Sequence, residues 1–450
     1  MKSIQQGTDP PTMRPATHRT FLVVLTGLLV LATGNFAQAR PARPAPSLPA
    51  PSGTVVNVST EPQLQAALTA ITSNMTIVLG PGTYRLTRSL AFNGPLQNVG
   101  IRGATGNSDD VVIVGPGMKV SAHGGVLYGI WTGNGVDGIT IANLTIRDFY
   151  FHPIIFNGAT DRPYVHNVHL IDAGQQFIKS NPVASGIGAR DGVVEYSIFE
   201  FTTTARDDYP KAIDIHGAAN WTIRHNLFRN LQAPQGQLLG PAVLAWRGSS
   251  GTITEGNTFL NCGRGIMYGA EDSPGVAHRG GVIRNNFFYR SSSQPGDVGI
   301  QVADSVGTQV INNTVILSGT YHAAIEYRYP GTSGVVIANN LVDATILPRE
   351  GASARLMGNV LNASPAMFLN TAQGDLHLRV TASQAIDRGV AVPNVDTDWD
   401  GDKRPAGSVP DVGADEVAAP IRSAFSGVSC KYGDAQRHDP LCSNNRPVER

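Results

Sequence analysis

The sequence predicts an all-β chain: a right-handed parallel β-helix, a three-walled solenoid of about ten coils with an N-terminal capping helix. Three observations predict it. Short apolar strands recur with a polar residue at one fixed place in each. Gly supplies 50 of 450 residues and charged residues only 15%, a composition of many short strands and tight turns. Long amphipathic helices need more Glu, Lys, Leu and Ala than this chain spends.

The N-terminus comes first. Arg14, His18 and Arg19 precede an apolar run over residues 21–32, and Ala37-Gln38-Ala39 is a small-residue cleavage pattern. Residues 1–39 are therefore expected to be a secretory signal, too short in its apolar part to span a bilayer. No Cys stands at the cleavage point, so no lipoprotein anchor is expected. Met13 would begin a more typical signal. Without residues 1–39 the chain carries 31 basic and 33 acidic residues. Such a balance offers no basic field for nucleic acid and no polybasic patch for lipid. A secreted monomer is the expectation. Residues 40–54, rich in Pro, read as an extended linker.

Residues 59–71 read as the capping helix. Ser59 or Thr60 can cap its start, and Leu64, Ala67, Leu68 and Ile71 share one face. Such a helix covers the strand edges and core that an open solenoid end exposes.

The repeat follows. Its polar residues are Asn143, Asn167, Tyr196, Asn226, Asn257, Asn286, Asn313, Asn340 and Asn359, spaced by 24, 29, 30, 31, 29, 27, 27 and 19 residues. A tight corner needs a residue that tolerates a left-handed backbone, and Asn does. Stacked Asn amides can also bond from coil to coil. A β-sandwich with Asn in its hairpins would not need one corner residue at so constant a spacing. Cys262 falls in an apolar strand and reads as a small core residue.

A third wall follows a longer loop in each repeat. Ile178, Ile213, Val243, Ile266, Ile300 and Ile325 align as its inward column. Alternation then sends their neighbours outward: Lys179 and Asn181, Asp214 and His216, Leu244 and Trp246, Met267, Gln301, and Glu326 with Arg328. Lys179, Asp214, His216 and Trp246 should cluster within three coils, about 10–15 Å. Lys211 and Arg247 stand at nearby strand ends, and the loop from Arg206 through Tyr209 can overhang them. The mixture suits a sugar acid. Trp246 offers a ring face to a pyranose, and Lys179 and Arg247 can take a carboxylate. Asp214 can orient His216 as an acid–base pair requires. Ordinary polar side chains on a solvated wall are the bland alternative.

At the far end, Asp396, Asp398 and Asp400 followed by Gly401 resemble the start of a Ca²⁺ loop, although Gly407 stands where the closing Glu belongs. An Asx-rich turn is the competing reading. In the tail, residues 418–450, Cys430 and Cys442 can close a disulfide loop.

The repeats, the first coil around residues 76–86, and the ending Arg404-Pro405 … Asp411-Val-Gly-Ala-Asp-Glu416 resemble secreted bacterial β-helix proteins of the pectate-lyase-like superfamily, over residues 55–417. The coils around Asp214–His216 and Leu244–Arg247 are similar to paired coils of the chondroitinase B and alginate lyase family. There the resemblance implies a Lys base and an Arg acid. Here His216 stands at the base position, and Trp246 at the Arg position with Arg247 one residue later. The resemblance thus implies an acidic polysaccharide as partner and β-elimination as reaction. Lys179 or Arg247 would neutralise the uronate and His216 would be the base. Asp214 would orient His216 or hold Ca²⁺, Tyr209 or Arg206 would be the proton donor, and Lys211, Asn181 and Trp246 would bind sugar. A non-catalytic glycan-binding surface or matrix protein is the alternative from another class.

Overall fold

The computed structural model describes residues 43–270 and 275–417. The expected signal, Cys430 and Cys442 lie outside the described residues. Within them the chain is an all-β, right-handed parallel β-helix. One wall is a 10-stranded parallel sheet, from Leu90–Asn93 to Thr345–Arg349. The other two walls join in a 20-stranded sheet, because Thr140–Phe149 and Tyr164–Ala173 run unbroken through both.

The helix spans Glu61–Thr69. The Thr60 hydroxyl accepts from the Gln63 N–H, and Pro62 sits in the first turn, where its missing N–H costs nothing. Leu64, Ala67 and Leu68 are buried against the first coil.

The inward column forms as alternation predicts. Ile178, Ile213, Val243, Ile266, Ile300 and Ile325 are direct neighbours from coil to coil, all 0–1% exposed. Phe199, Phe228, Phe259 and Phe288 stack behind them at ring separations of 4.8, 4.7 and 4.3 Å. Cys262 is buried in the same core.

The Asn corner needs a correction. Asn143, Asn167 and Tyr196 do take a left-handed backbone, with φ of 55°, 52° and 50°. From the next coil on, the left-handed residue is one position earlier: His225, Gly256, Asn285, Asn312, Asn339 and Gly358. Asn226, Asn257, Asn286, Asn313, Asn340 and Asn359 instead turn inward. From Asn226 to Asn340 each amide N–H donates to the side-chain carbonyl of the next Asn at 2.9–3.0 Å, and Asn359 ends the ladder by donating to Ile337 O at 2.8 Å. In the earlier coils one Asn does both, Asn167 donating its amide to Asn143 at 2.9 Å; from His225 on, the bend and the bridge fall on neighbours. Ser197 begins the bridging column, accepting from Val168 N and donating its own N–H to Asn226.

Two further segments lie beside the coils. The Pro-rich stretch is extended, but from Arg43 onward it lies along a wall. Pro49 O accepts from Arg102 at 2.8 Å, Pro46 O from His166 at 3.0 Å, and Arg43 donates to His225 at 2.7 Å. Burial first, then the Arg43 charge, holds His225 down at about 4, so its ring is a neutral acceptor. Residues 363–417 fold back over an outward stripe of Phe287, Ile316 and Leu341, burying Met367, Phe368, Leu376, Trp399 and Val412 there. Arg404 and Glu416 form a buried ion pair of 2.9 Å at its centre.

Candidate functional site

The third wall brings Lys179, Asp214, His216 and Trp246 together. Lys179 and Asp214 are register neighbours on successive strands, as are His216 and Trp246. Lys179 Nζ donates to Asp214 Oδ2 at 2.8 Å and lies 2.7 Å from His216 Nε2. His216 Nε2 is also 3.0 Å from Asp214 Oδ1, which accepts from Trp246 Nε1 at 2.9 Å. The His216 and Trp246 rings meet edge to face, 4.9 Å apart. Lys179, Asp214 and His216 are 6%, 1% and 8% exposed, so outward-facing charges are here withdrawn from water.

The geometry limits the protons. One nitrogen, His216 Nε2, faces both an ammonium and a carboxylate. With Lys179 charged, Nε2 must be an acceptor. With Nε2 protonated toward Asp214, Lys179 gives up a proton. Both states carry the same net charge, and a single hydrogen bond connects them. Burial lowers Lys179, with Asp214 opposing, and burial likewise lowers His216 against the pull of Asp214. Burial pushes Asp214 up, but its bond to His216 and the Lys179 charge outweigh this and hold it well below the usual carboxylate range. The cluster therefore keeps one fixed anion and one mobile proton.

Arg247 follows Trp246 directly at the end of the strand. It takes a left-handed φ of 55°, so the strand ends at Trp246 and simple alternation ends with it. Its guanidinium lies 4.5 Å over the Trp246 ring. Arg247 and Lys211 both lower Lys179 further by charge repulsion, after burial. Lys211 donates to Tyr209 O at 3.0 Å and sits over the exposed Tyr209 ring. Asn181 bonds Asn157 at 3.3 Å in the outward column that leads to His216. Arg206 is engaged elsewhere: it bonds Asp207 and Tyr150 O and lies 4.4 Å over the Tyr150 ring.

His152 is the residue that alternation missed. It precedes the strand Ile154–Phe156, bonds Gln176 O at 3.1 Å, and stacks on Tyr128. Burial lowers it to about 4, with Lys179 and Asp214 both acting on it. A corner residue carries no strand periodicity, so no sequence signal placed it here. Farther along the wall, a cavity of about 580 Å³ is lined by Arg264, Met267, Asp297, Gln301, Arg328 and Tyr329.

The aspartate run does not form the expected loop. Asp398 uses both carboxylate oxygens on the N–H groups of Asp402 and Glu416. Asp400 leaves the run to meet His377 Nε2 at 2.6 Å, while His377 Nδ1 meets Asp375 at 2.5 Å. Among the described residues, His377, Asp400 and Asp415 are grouped closely enough to hold a metal ion. Burial lowers His377, but its two carboxylates outweigh this and raise it to about 9. Ca²⁺ takes oxygen ligands, which Asp400 and Asp415 offer and the His377 ring does not.

Fold and site together define a right-handed parallel β-helix protein with a buried Lys–Asp–His cluster on an outward wall. A sequence profile of the right handed beta helix region matches residues 211–353. No curated protein matches the chain. Among solved structures, an alginate lyase from Paenibacillus sp. str. FPU-7 is 17% identical with a TM-score of 0.49, covering 68% of this chain and 99% of that one. Pectate lyase Pel9A is 16% identical with a TM-score of 0.47, covering 81% and 97%. The surface adhesin PfbA of Streptococcus pneumoniae is 13% identical with a TM-score of 0.42, covering 66% and 87%. Among the described residues no helix is long and apolar enough to cross a membrane.

Proposed function

We propose that the third wall binds an acidic polysaccharide outside the cytoplasm and cleaves it by β-elimination. The observation that carries this is the buried Lys179–Asp214–His216 cluster, flanked by Lys211, Arg247 and the Trp246 ring. Cations beside one buried anion leave a positive surplus suited to a uronate carboxylate. A pyranose ring needs a flat apolar partner, and the adjoining indole is one.

Elimination requires three tasks. Arg247, with Lys179, neutralises the carboxylate and so acidifies the C5 proton. His216 takes that proton on Nδ1, once Lys179 has turned from the ring to the uronate and left Nε2–H to donate to Asp214; burial keeps the ring neutral until then. The C5–H electrons form the C4–C5 double bond as the C4–O bond breaks. The leaving oxygen takes a proton from Tyr209, the exposed hydroxyl at the rim. Arg206, tied to Tyr150, is the weaker donor.

The reading is tested by absorbance near the band of unsaturated uronates, with purified mature protein on alginate, pectate, chondroitin and heparin-type chains. A rise on one of them that His216→Ala abolishes is expected. Equal rates with Ca²⁺ and with chelator are also expected. No rise on any of them overturns the lyase reading for those chains. One observation favours the binding alternative: Lys179, Asp214 and His216 already satisfy one another. Affinity for the same panel without turnover would select it.

A further inference from the structure

Trp131 shares an outward column with the cluster. Trp131 pairs with Ile155, Ile155 with Lys179, and Lys179 with Asp214. Two coil rises, about 10 Å, separate Trp131 from Lys179. The indole is half-buried and folded down along its own strand: a Cβ at Gly133 would meet its six-membered ring at 2.6 Å. Glycine at 133 is what lets the ring lie over the strand. Ile155, between Trp131 and Lys179, is apolar and 4% exposed, so nothing charged stands between them on this column. The adjoining corner is aromatic. Tyr128 stacks on His152 with rings 4° from parallel, and Phe151 lies 6.1 Å from Tyr128.

We propose that Trp131 is a stacking platform for a pyranose ring of the same acidic chain, two coils toward the N-terminal end from Lys179. The proposal rests on the polysaccharide reading above and deepens it. A pyranose has an apolar C–H face and a polar rim. The face lies on Trp131, and the rim points to solvent. The next ring rests over Ile155 beside Tyr128 and His152, and the one after reaches Lys179 and Asp214. The site thereby recognises length: a short oligosaccharide fills the cluster alone, and a longer one gains Trp131. At the far end of the wall the ring is a phenol under a guanidinium, Arg328 lying 4.8 Å over Tyr329 beside Arg264 and Gln301.

The test is calorimetric binding of alginate and polygalacturonate oligosaccharides, from disaccharide to octasaccharide. It is done in a His216→Ala background so that turnover does not consume them. Affinity should climb with length and then level off. Trp131→Ala should bind the longest oligosaccharides about tenfold more weakly and the disaccharide unchanged. Trp131→Phe should keep most of the gain. Gly133→Ala, which displaces the ring without removing it, should behave as Trp131→Ala and serves if that variant melts early. Parental affinity of both variants for every length overturns the platform while leaving the polysaccharide reading standing. Absence of binding by the parent at any length overturns both.

Discussion

At the scale of single residues, Lys179 is the most exposed to test. It is the cation nearest Asp214 in a site almost closed to water. Lys179→Met should cost about 3–5 kcal/mol in urea denaturation, because it strands a buried carboxylate. Adding Asp214→Asn should recover a large part of that loss, since the stranded charge then disappears. A double variant as unstable as the single one would show that packing, not charge, is at stake. His377 gives a second test. Its folded value of about 9 lies above the ordinary imidazole value, so it stabilises the fold. That contribution is full below about pH 6.5 and is lost as pH rises through about 9. The melting temperature should fall across that interval, and His377→Gln should flatten the fall. The cluster was legible in the sequence because strand alternation fixes which side chains leave a wall together. His152 and the pose of Arg247 were not, since both sit where the period of two stops.

At the scale of the coil, the Asn column separates two physical requirements. A left-handed corner asks for a small or amide side chain, and a ladder asks for a donor and an acceptor pointing inward. Asn257 illustrates the second. Its amide donates to Asn286, Ile223 O and Glu255 O, and its carbonyl accepts from the backbone and the side chain of Asn226. Asn257→Ala should cost about 2–4 kcal/mol by chemical denaturation, because partners above and below lose bonds in a dry interior. The period was legible from sequence, but the task of each Asn was not. A repeat of about thirty residues tolerates a one-residue change of register, and the chain makes that change between Tyr196 and Asn226.

At the scale of the whole molecule, the coils do not stand alone. Residues 363–417 cover Phe287, Ile316 and Leu341, an apolar stripe that would otherwise face water. A chain ending before residue 363 should therefore bind an apolar dye and self-associate by light scattering, with its coil spectrum retained. A monomeric, dye-silent truncation would mean the stripe is covered in some other way. This lateral packing escaped sequence reading because it joins segments roughly a hundred residues apart through side chains with no common period, as in Ala414 with Thr314. The Pro-rich stretch escaped it likewise, since Pro-rich composition describes a conformation and not a contact. Its path has a mechanical consequence. A stack of coils can peel from one end, each turn yielding in sequence. A strap fastened at Arg102, His166 and His225 lies across many turns at once. Tension on the N-terminal side meets the Arg43–His225 fastening first, then Pro46 on His166 and Pro49 on Arg102, before it reaches the first coil.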